Sequence, residues 1–196
     1  SQIVEEPRRP VAAAGVVGPS PEDLGEGPVD HLAPPAGIAD AAEAGAAAVL
    51  LTLDTPGGLD SSMRQITQAI LNAEIPVIGY VSPQGARAAS AGTFILLSTN
   101  IAAMAPATNV GAAQPVGLSG AVASEKAVND AAEYIVGIAE ARDRNAEWAE
   151  SAVRDAESVS AEEALRLDVI DLIAPDVPTL LAEVDGRLVA YAMGFR

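Results

Sequence analysis

The chain has 196 residues, of which 49% are hydrophobic and 19% are charged, and this composition is typical of one globular domain rather than of a disordered chain. Its 27 acidic and 11 basic residues give a net charge of −16, which disfavours binding to nucleic acids and to anionic lipid surfaces. The absence of cysteine excludes disulfides, thiolate metal sites and cysteine nucleophiles.

The sequence offers few side chains that can act as a general base. It has one histidine, His31, and one lysine, Lys126, and its other ten basic residues are arginines. A Ser-His-Asp triad would depend on His31, and a zinc site would consist almost wholly of carboxylates, which suit zinc poorly. We expect no metal and no cofactor. A base other than a carboxylate must be Lys126, His31 or a tyrosine, because arginine does not deprotonate.

Proline marks the N-terminal boundary of the predicted domain. Seven of the 14 prolines fall before residue 36, among glycines and acidic residues, and this predicts an irregular arm over residues 1–36. We expect one folded domain over residues 37–187 and a C-terminal tail over 188–196. No run approaches the roughly 18 apolar residues that cross a bilayer, so the chain as given is expected to be soluble, without a signal peptide.

Apolar runs alternate with segments of helical spacing from residue 38 onward. This alternation predicts an α/β fold with a largely parallel sheet and outer helices. In chain order we expect a helix at 38–46, a strand at 47–54, a turn at 55–58, a helix at 59–73, a strand at 75–81, a loop at 82–85, a helix at 89–97, a strand at 101–104, a loop up to 120, a helix at 124–142, helices capped by Asn145 and Ser160, and a strand at 169–173.

Two segments of small residues are candidates for carrying chemistry. Pro56-Gly57-Gly58 follows a buried strand, where glycine lets the backbone present unpaired N–H groups to a reacting oxygen, although a plain turn explains it equally well. Ser90 lies among Ala88, Ala89, Ala91 and Gly92 where a loop enters a helix, so its hydroxyl is accessible. A serine in this position is also a common helix N-cap. The residues alone leave Ser90 as either a nucleophile or a cap.

Lys126 also has two interpretations. In the first turn of a helix, with Asp130 four positions later, it fits an ordinary solvated ion pair. The same position faces the positive end of the helix dipole, which favours loss of the proton. Lysine differs from arginine in that burial can deprotonate it, as activation of a serine requires. The residues alone favour neither interpretation.

Several motifs, taken in order, resemble the protease domain of NfeD-family membrane serine proteases, the ClpP-class enzymes often encoded beside stomatin-like proteins. The resemblance covers roughly residues 38–187. It rests on LDTPGG (53–58), IPVIGYV (75–81), GARAASAGT (85–93), AMAP (103–106), NVGAA (109–113), KAVN (126–129), RN (144–145), AEEA (161–164) and VIDLIA (169–174). It implies a ClpP/crotonase-like spiral of ββα units. It also implies a Ser-Lys dyad with Ser90 as nucleophile and Lys126 as base, and an oxyanion and substrate-binding strip at Gly57, Gly58 and Ala91.

The function implied by the resemblance is that of a serine endopeptidase. Its substrate would be an apolar peptide segment of a membrane-associated protein, with a stomatin-like protein as partner. We further expect self-association into dimers or larger assemblies and an extracytoplasmic, membrane-associated location. Two alternatives are a crotonase-like acyl-CoA enzyme and a non-catalytic scaffold that binds a membrane-protein tail. Ser90, the single lysine and the lack of a basic patch for CoA phosphates argue against the acyl-CoA enzyme.

The chain departs from the pattern of this family at two places. Family members open with a strand and a helix, and Pro34-Pro35 is expected to interrupt that helix here, so no first strand is predicted. Asp168 stands where the family has glycine at the end of a helix. We expect Asp168 to adopt the left-handed conformation that such a position requires, which aspartate tolerates.

Overall fold

The computed structural model describes residues 11–17, 34–117 and 122–192, and these form strands and helices in alternation. The elements, in chain order, are β1 (Val11–Val17), α1 (Pro34–Glu43), β2 (Ala48–Leu53), α2 (Asp60–Leu71), β3 (Val77–Val81), β4 (Arg87–Ala89), α3 (Ala91–Ser98), β5 (Ile101–Met104), β6 (Asn109–Gly111), α4 (Glu125–Ala141), α5 (Ala146–Arg154), β7 (Ser158–Ser160), α6 (Ala161–Arg166), β8 (Leu172–Ile173) and α7 (Val177–Ala192).

The main sheet is parallel throughout and contains β1, β2, β3, β5 and β8 in that order. Its strands are apolar on both faces, as expected for a parallel sheet that is covered on both sides. One face packs against α1 to α6, and the other packs against α7, where Leu180 and Val184 contact the sheet residues Leu50 and Ile78. The sheet is therefore the middle layer of the fold.

A second, smaller sheet crosses over the carboxyl ends of the main strands. In it β4 runs parallel to β6, and β6 runs antiparallel to β7. Gly111 in β6 has a φ of 130°, and a Cβ there would lie 2.2 Å from the carbonyl oxygen of Glu157, so only glycine permits this approach. Twice in the chain, a strand of the main sheet is followed by a strand of the small sheet and then by a helix, in β3-β4-α3 and in β5-β6-α4. This order confirms the predicted repeat of ββα units.

The N-terminal arm differs from the sequence-based expectation. Val11–Val17 is a strand that pairs with β2, with Val17 opposite Leu53, so the prediction of an irregular arm over 1–36 is wrong for these seven residues. Main-chain pairing with β2 stabilises this alanine-rich strand, which has no periodic pattern of its own. Pro34 and Pro35 begin α1 instead of interrupting it, because the first turn of a helix needs no N–H partner. The rest of the arm up to residue 33 lies outside the described residues.

Three further predictions concern the C-terminal half of the chain. Helix α7 continues to Ala192, so residues 188–192 belong to a helix and not to the predicted tail. The strand predicted at 169–173 is reduced to Leu172–Ile173. Asp168 has a φ of 57°, which confirms the expected left-handed residue after α6. The domain boundaries at 37 and 187 otherwise stay a prediction.

Among the segments described, no helix combines the length and the apolarity that crossing a membrane requires.

A buried arginine joins the end of α3 to the main sheet. Arg144 donates hydrogen bonds to the carbonyls of Leu97 at 3.2 Å and Thr99 at 3.0 Å, and to Asp171 Oδ2 at 2.7 Å. Asp171 Oδ2 also accepts a hydrogen bond from the Ala102 N–H at 2.7 Å. Burial lowers the pKa of Arg144, and the Asp171 carboxylate opposes this effect. The ion pair therefore ties α3 to β5 and to the segment before β8.

We expect Asp171→Asn to lower the free energy of unfolding by about 2–3 kcal/mol, because it leaves a buried cation without its counter-charge. The value is below that for a fully buried pair because the Asp171 side chain is 33% exposed. Urea denaturation measures it. Glu163→Gln, which breaks the exposed ion pair with Arg166, is the control and should leave the free energy of unfolding close to that of the wild type. Equal losses in both variants would contradict the role of Arg144.

Candidate active site

Ser90 connects β4 to α3 through a strained backbone. Its φ is 52° and its ψ is −115°, a combination that residues with a Cβ rarely adopt. The Ser90 N–H donates to the carbonyl of Gly111 at 3.0 Å, and the Ala89 N–H donates to the carbonyl of Thr55 at 3.0 Å. The conformation of Ser90 is thus fixed by hydrogen bonds to β6 on one side and to the turn after β2 on the other.

The hydroxyl of Ser90 does not cap α3. Ser90 occupies the N-cap position, but its side chain makes no capping hydrogen bond. Ser124, Asn145 and Ser160 occupy the same position in α4, α5 and α6, and each accepts a hydrogen bond from the N–H three residues later. The simple capping interpretation of Ser90 is therefore wrong, and the predicted caps at Asn145 and Ser160 are confirmed.

The Gly57-Gly58 turn lies directly against Ser90 and Ala91. A Cβ at Gly57, where φ is 142°, would lie 3.1 Å from Ser90 Cβ and 3.4 Å from Ser90 Oγ. A Cβ at Gly58 would lie 3.8 Å from Ala91 Cβ. The turn after β2 and the first turn of α3 therefore face each other, and glycine at position 57 leaves the space beside the hydroxyl open.

The N–H groups of this strip differ in what they bind. The Gly57 N–H donates to Thr55 Oγ1 at 3.1 Å, and the same hydroxyl donates to the Gly57 carbonyl at 2.9 Å. Within the described chain, the N–H groups of Gly58 and Ala91 have no protein acceptor. Of the three residues predicted for the strip, Gly58 and Ala91 present free N–H donors. Gly57, which has no side chain, leaves room beside the Ser90 hydroxyl.

Two threonines that the sequence analysis missed hold the site together. Thr55 is buried and closes the Gly57 turn. Thr93, in the first turn of α3, accepts a hydrogen bond from the Gly111 N–H at 3.2 Å, and its hydroxyl lies 3.0 Å from the carbonyl of Ala88. The signal in the sequence was the presence of polar residues inside otherwise apolar segments. Their partners lie in other elements, so no local pattern identifies them.

Lys126 lies in the first turn of α4 with its side chain exposed. With the residues the structure describes, Ser90 included, Lys126 makes no hydrogen bond or ion pair. The alternative ion pair with Asp130 is therefore not formed, and Asp130 Oδ2 instead pairs with Arg64 Nη2 at 2.5 Å. His31 lies outside the described residues. In the part of the chain that can be described, no three His, Asp or Glu side chains are grouped to hold a metal ion.

Comparison with known families and proteins gives a consistent result. Residues 29–175 match the family model described as NfeD1b, N-terminal domain. The membrane-bound protease PH1510 of Pyrococcus horikoshii is 42% identical over 146 residues, which is 72% of this chain and 33% of that protein. The membrane protein NfeD1b of Bacillus subtilis is 40% identical over 90 residues, 46% of this chain and 20% of that protein. The chain thus spans a third or less of these relatives.

Solved structures of one relative share the fold. A lysine-to-alanine mutant of the 1510-N membrane-bound stomatin-specific protease, in complex with a substrate peptide, has a TM-score of 0.79 and 34% identity over 91% of this chain and 81% of its own. A serine-to-alanine mutant has a TM-score of 0.73 and 40% identity, over 76% and 74%. The 1510-N membrane protease specific for a stomatin homolog from Pyrococcus horikoshii scores 0.63 at 39% identity, over 74% and 67%. The predicted ClpP/crotonase-like fold is confirmed.

We expect Gly57→Ala to destabilise the protein by about 2–3 kcal/mol, because it combines a strained positive φ with a Cβ pressed against Ser90. Gly58→Ala is the matched control. Its new Cβ makes an ordinary contact with Ala91, so it should change the free energy of unfolding by less than about 1 kcal/mol. Urea denaturation of both variants measures the difference, and equal stabilities would show that the turn does not press on Ser90.

Proposed function

The chain belongs to the NfeD1b N-terminal domain family, and on this premise we propose that it is a serine endopeptidase with a Ser-Lys dyad. The observation that carries the proposal is the state of Ser90, whose hydroxyl is free of the capping bond that its position invites and faces an open space beside Gly57. A strained backbone gives a serine with a purely structural role no advantage, and such strain is found mainly at functional sites. The serine-to-alanine and lysine-to-alanine forms in which the relative was solved support the same pair of residue types.

In the proposed reaction, the uncharged amine of Lys126 accepts the proton of the Ser90 hydroxyl while Oγ attacks the carbonyl carbon of a peptide bond. The N–H groups of Gly58 and Ala91 donate hydrogen bonds to the resulting oxyanion. The protonated Lys126 then gives its proton to the leaving amine, and an acyl group stays on Ser90. Water, deprotonated by Lys126, hydrolyses this ester and regenerates the serine.

Because Lys126 is exposed in the single chain, the proposed reaction requires the substrate or another copy of the chain to cover it. Burial is the general means by which lysine loses its charge. Three exposed apolar residues belong to the segments that flank the proposed dyad. Leu59 follows Gly58 and is 72% exposed, while Val116 and Val122, 63% and 58% exposed, pair with each other shortly before Lys126. An apolar peptide segment, or another copy of the chain, would find a complementary surface there.

We propose a stomatin-like membrane protein as the source of this peptide and an extracytoplasmic, membrane-associated location for the domain. The support is that the relative is named a membrane-bound protease and a stomatin-specific one. We also propose that the chain self-associates. No observation favours the acyl-CoA enzyme, since the net charge of −16 opposes binding of CoA phosphates. The uncapped Ser90 likewise argues against a passive scaffold.

We expect Ser90→Ala to abolish both cleavage of an apolar peptide and labelling by a fluorophosphonate probe, with an unfolding free energy within about 1 kcal/mol of wild type. Ser160→Ala is the matched control, because Ser160 does cap its helix. It should lose about 1 kcal/mol of stability and keep full labelling. Mass spectrometry of the adduct and urea denaturation measure the two effects. Labelling of a folded Ser90→Ala protein would refute the nucleophile.

Lys126→Arg should remove peptide cleavage as completely as Ser90→Ala does. Arginine keeps the charge and the approximate length, and the exposed side chain makes no contact whose loss would unfold the protein. It cannot, however, accept the proton of the serine. Wild-type cleavage should rise with pH, since the base acts only after it has lost its proton. Cleavage is measured between pH 6 and 10, and near-wild-type turnover in the variant would remove Lys126 from the mechanism.

A further inference from the structure

The acceptor side chains nearest to Lys126 on α4 are both occupied by arginines of other helices. On a helix, a side chain at i reaches those at i+3 and i+4, which here are Asn129 and Asp130. Arg154 of α5 donates from Nη1 to Asn129 Oδ1 at 2.6 Å. Arg64 of α2 donates from Nη2 to Asp130 Oδ2 at 2.5 Å. Within the described residues both side chains thus pair with an arginine, and neither pairs with Lys126.

Arg64 is held in place by more than this ion pair. Its Nε donates to Asp60 Oδ2 at 3.0 Å, and its guanidinium lies 4.4 Å from the centre of the Tyr134 ring. Burial opposes the charge of Arg64, but the hydrogen bond to Asp60 and the charges of Asp60 and Asp130 outweigh it and raise the pKa of Arg64. The Tyr134 ring in turn stacks on Phe94 of α3 at 6.0 Å. Arg64 is therefore a charged group in a fixed position between α2 and α4.

We propose that Arg64 is a positioning residue that withdraws Asp130 from Lys126 and so keeps the base of the dyad free to accept the proton of Ser90. The proposal rests on the proposed Ser-Lys function. Without Arg64, the Asp130 carboxylate would pair with the lysine ammonium four residues earlier and stabilise its charged form. A lysine stabilised in this way is a poorer base, because less of it is uncharged at a given pH.

The charges on the surrounding elements are consistent with Asp130 as the one carboxylate whose pairing would affect Lys126. Helix α3 contains no charged residue. On α4, Glu125 adjoins Lys126 and so points to another side of the helix, and Glu133 lies almost two turns away. The charged groups of neighbouring helices with hydrogen bonds to α4 are Arg64 on α2 and Arg154 on α5, and each also binds a carboxylate on its own helix, Asp60 and Glu150 respectively.

The test compares Arg64→Gln with the double variant Arg64→Gln/Asp130→Asn. Arg64→Gln releases Asp130, so cleavage at neutral pH should fall about two- to fivefold, the range expected for an exposed ion pair. Removal of the released carboxylate in the double variant should restore cleavage to near the wild-type rate. A purely structural role for Arg64 predicts the opposite, because a second substitution at the same interface would not repair the first.

A direct readout is available because Lys126 is the single lysine of the chain. Selective isotope labelling of lysine gives one side-chain NMR signal, whose titration midpoint should be higher by about 0.2–0.7 pH unit in Arg64→Gln and return to the wild-type value in the double variant. Glu163→Gln is the control. It also removes a carboxylate that pairs with an arginine on its own helix, but Glu163 and Arg166 lie on α6 and contact neither Arg64 nor Asp130, so this variant should titrate and cleave like wild type.

An unchanged midpoint in Arg64→Gln, or a loss of cleavage that Asp130→Asn does not reverse, would overturn the role of Arg64. Failure of the proposed function is a separate result. In that case wild-type protein would not cleave the peptide or react with the fluorophosphonate, or Lys126→Arg would stay active, whatever the NMR midpoints of the Arg64 variants are. The titration and the activity assay thus answer two different questions about the same residue.

Discussion

The backbone of Ser90 is the constraint around which the rest of the site is arranged. A non-glycine residue at a φ of 52° and a ψ of −115° is unfavourable by about 1–3 kcal/mol and persists only where its surroundings fix it. Here the Gly111 carbonyl fixes its N–H, and the Thr55 carbonyl fixes the residue before it. Because Thr55 follows a strand of the main sheet and Gly111 ends a strand of the small one, both sheets must be assembled for Ser90 to take this shape.

Helix α3 transmits this constraint to the proposed oxyanion site. All eight of its residues are buried, so its position follows from packing rather than from a solvated face. Its C-terminal carbonyls accept hydrogen bonds from Arg142, at Ser98, and from Arg144, at Leu97. Cations at this end complement the helix dipole, and the free N–H of Ala91 lies at the opposite, positive end. These two arginines therefore stabilise the orientation on which an anion at the N-terminus would depend.

The sequence predicts the elements that carry long apolar runs or strong caps. It does not predict the elements and side-chain partners that depend on contacts between residues distant in the chain. Strands β2, β3 and β5 and helices α2 to α6 lie within a few residues of their predicted positions. Strand β4 has three residues, too few for any periodicity to be recognised, and β1 has a run of three alanines and a glycine between its valines. Thr93 and Gly111 are 18 residues apart, and Arg64 and Asp130 are 66 residues apart. Small residues around Ser90 indicated the site, but the partners of Thr93 and Asp130 follow only from the fold.

The same long-range contact takes the place of the ion pair that one interpretation of Lys126 predicted. Its i+4 carboxylate is present, as an ion pair requires, but is bound by Arg64. At physiological ionic strength, charges further away than about 8 Å are largely screened, so the nearest carboxylate interacts with the lysine more strongly than the rest of the acidic surface does. In the proposed mechanism, the contact between Arg64 and Asp130 leaves Lys126 without a paired carboxylate. The desolvation that the proposed base requires would then come from the apolar segment or neighbouring copy that we propose covers the first turn of α4.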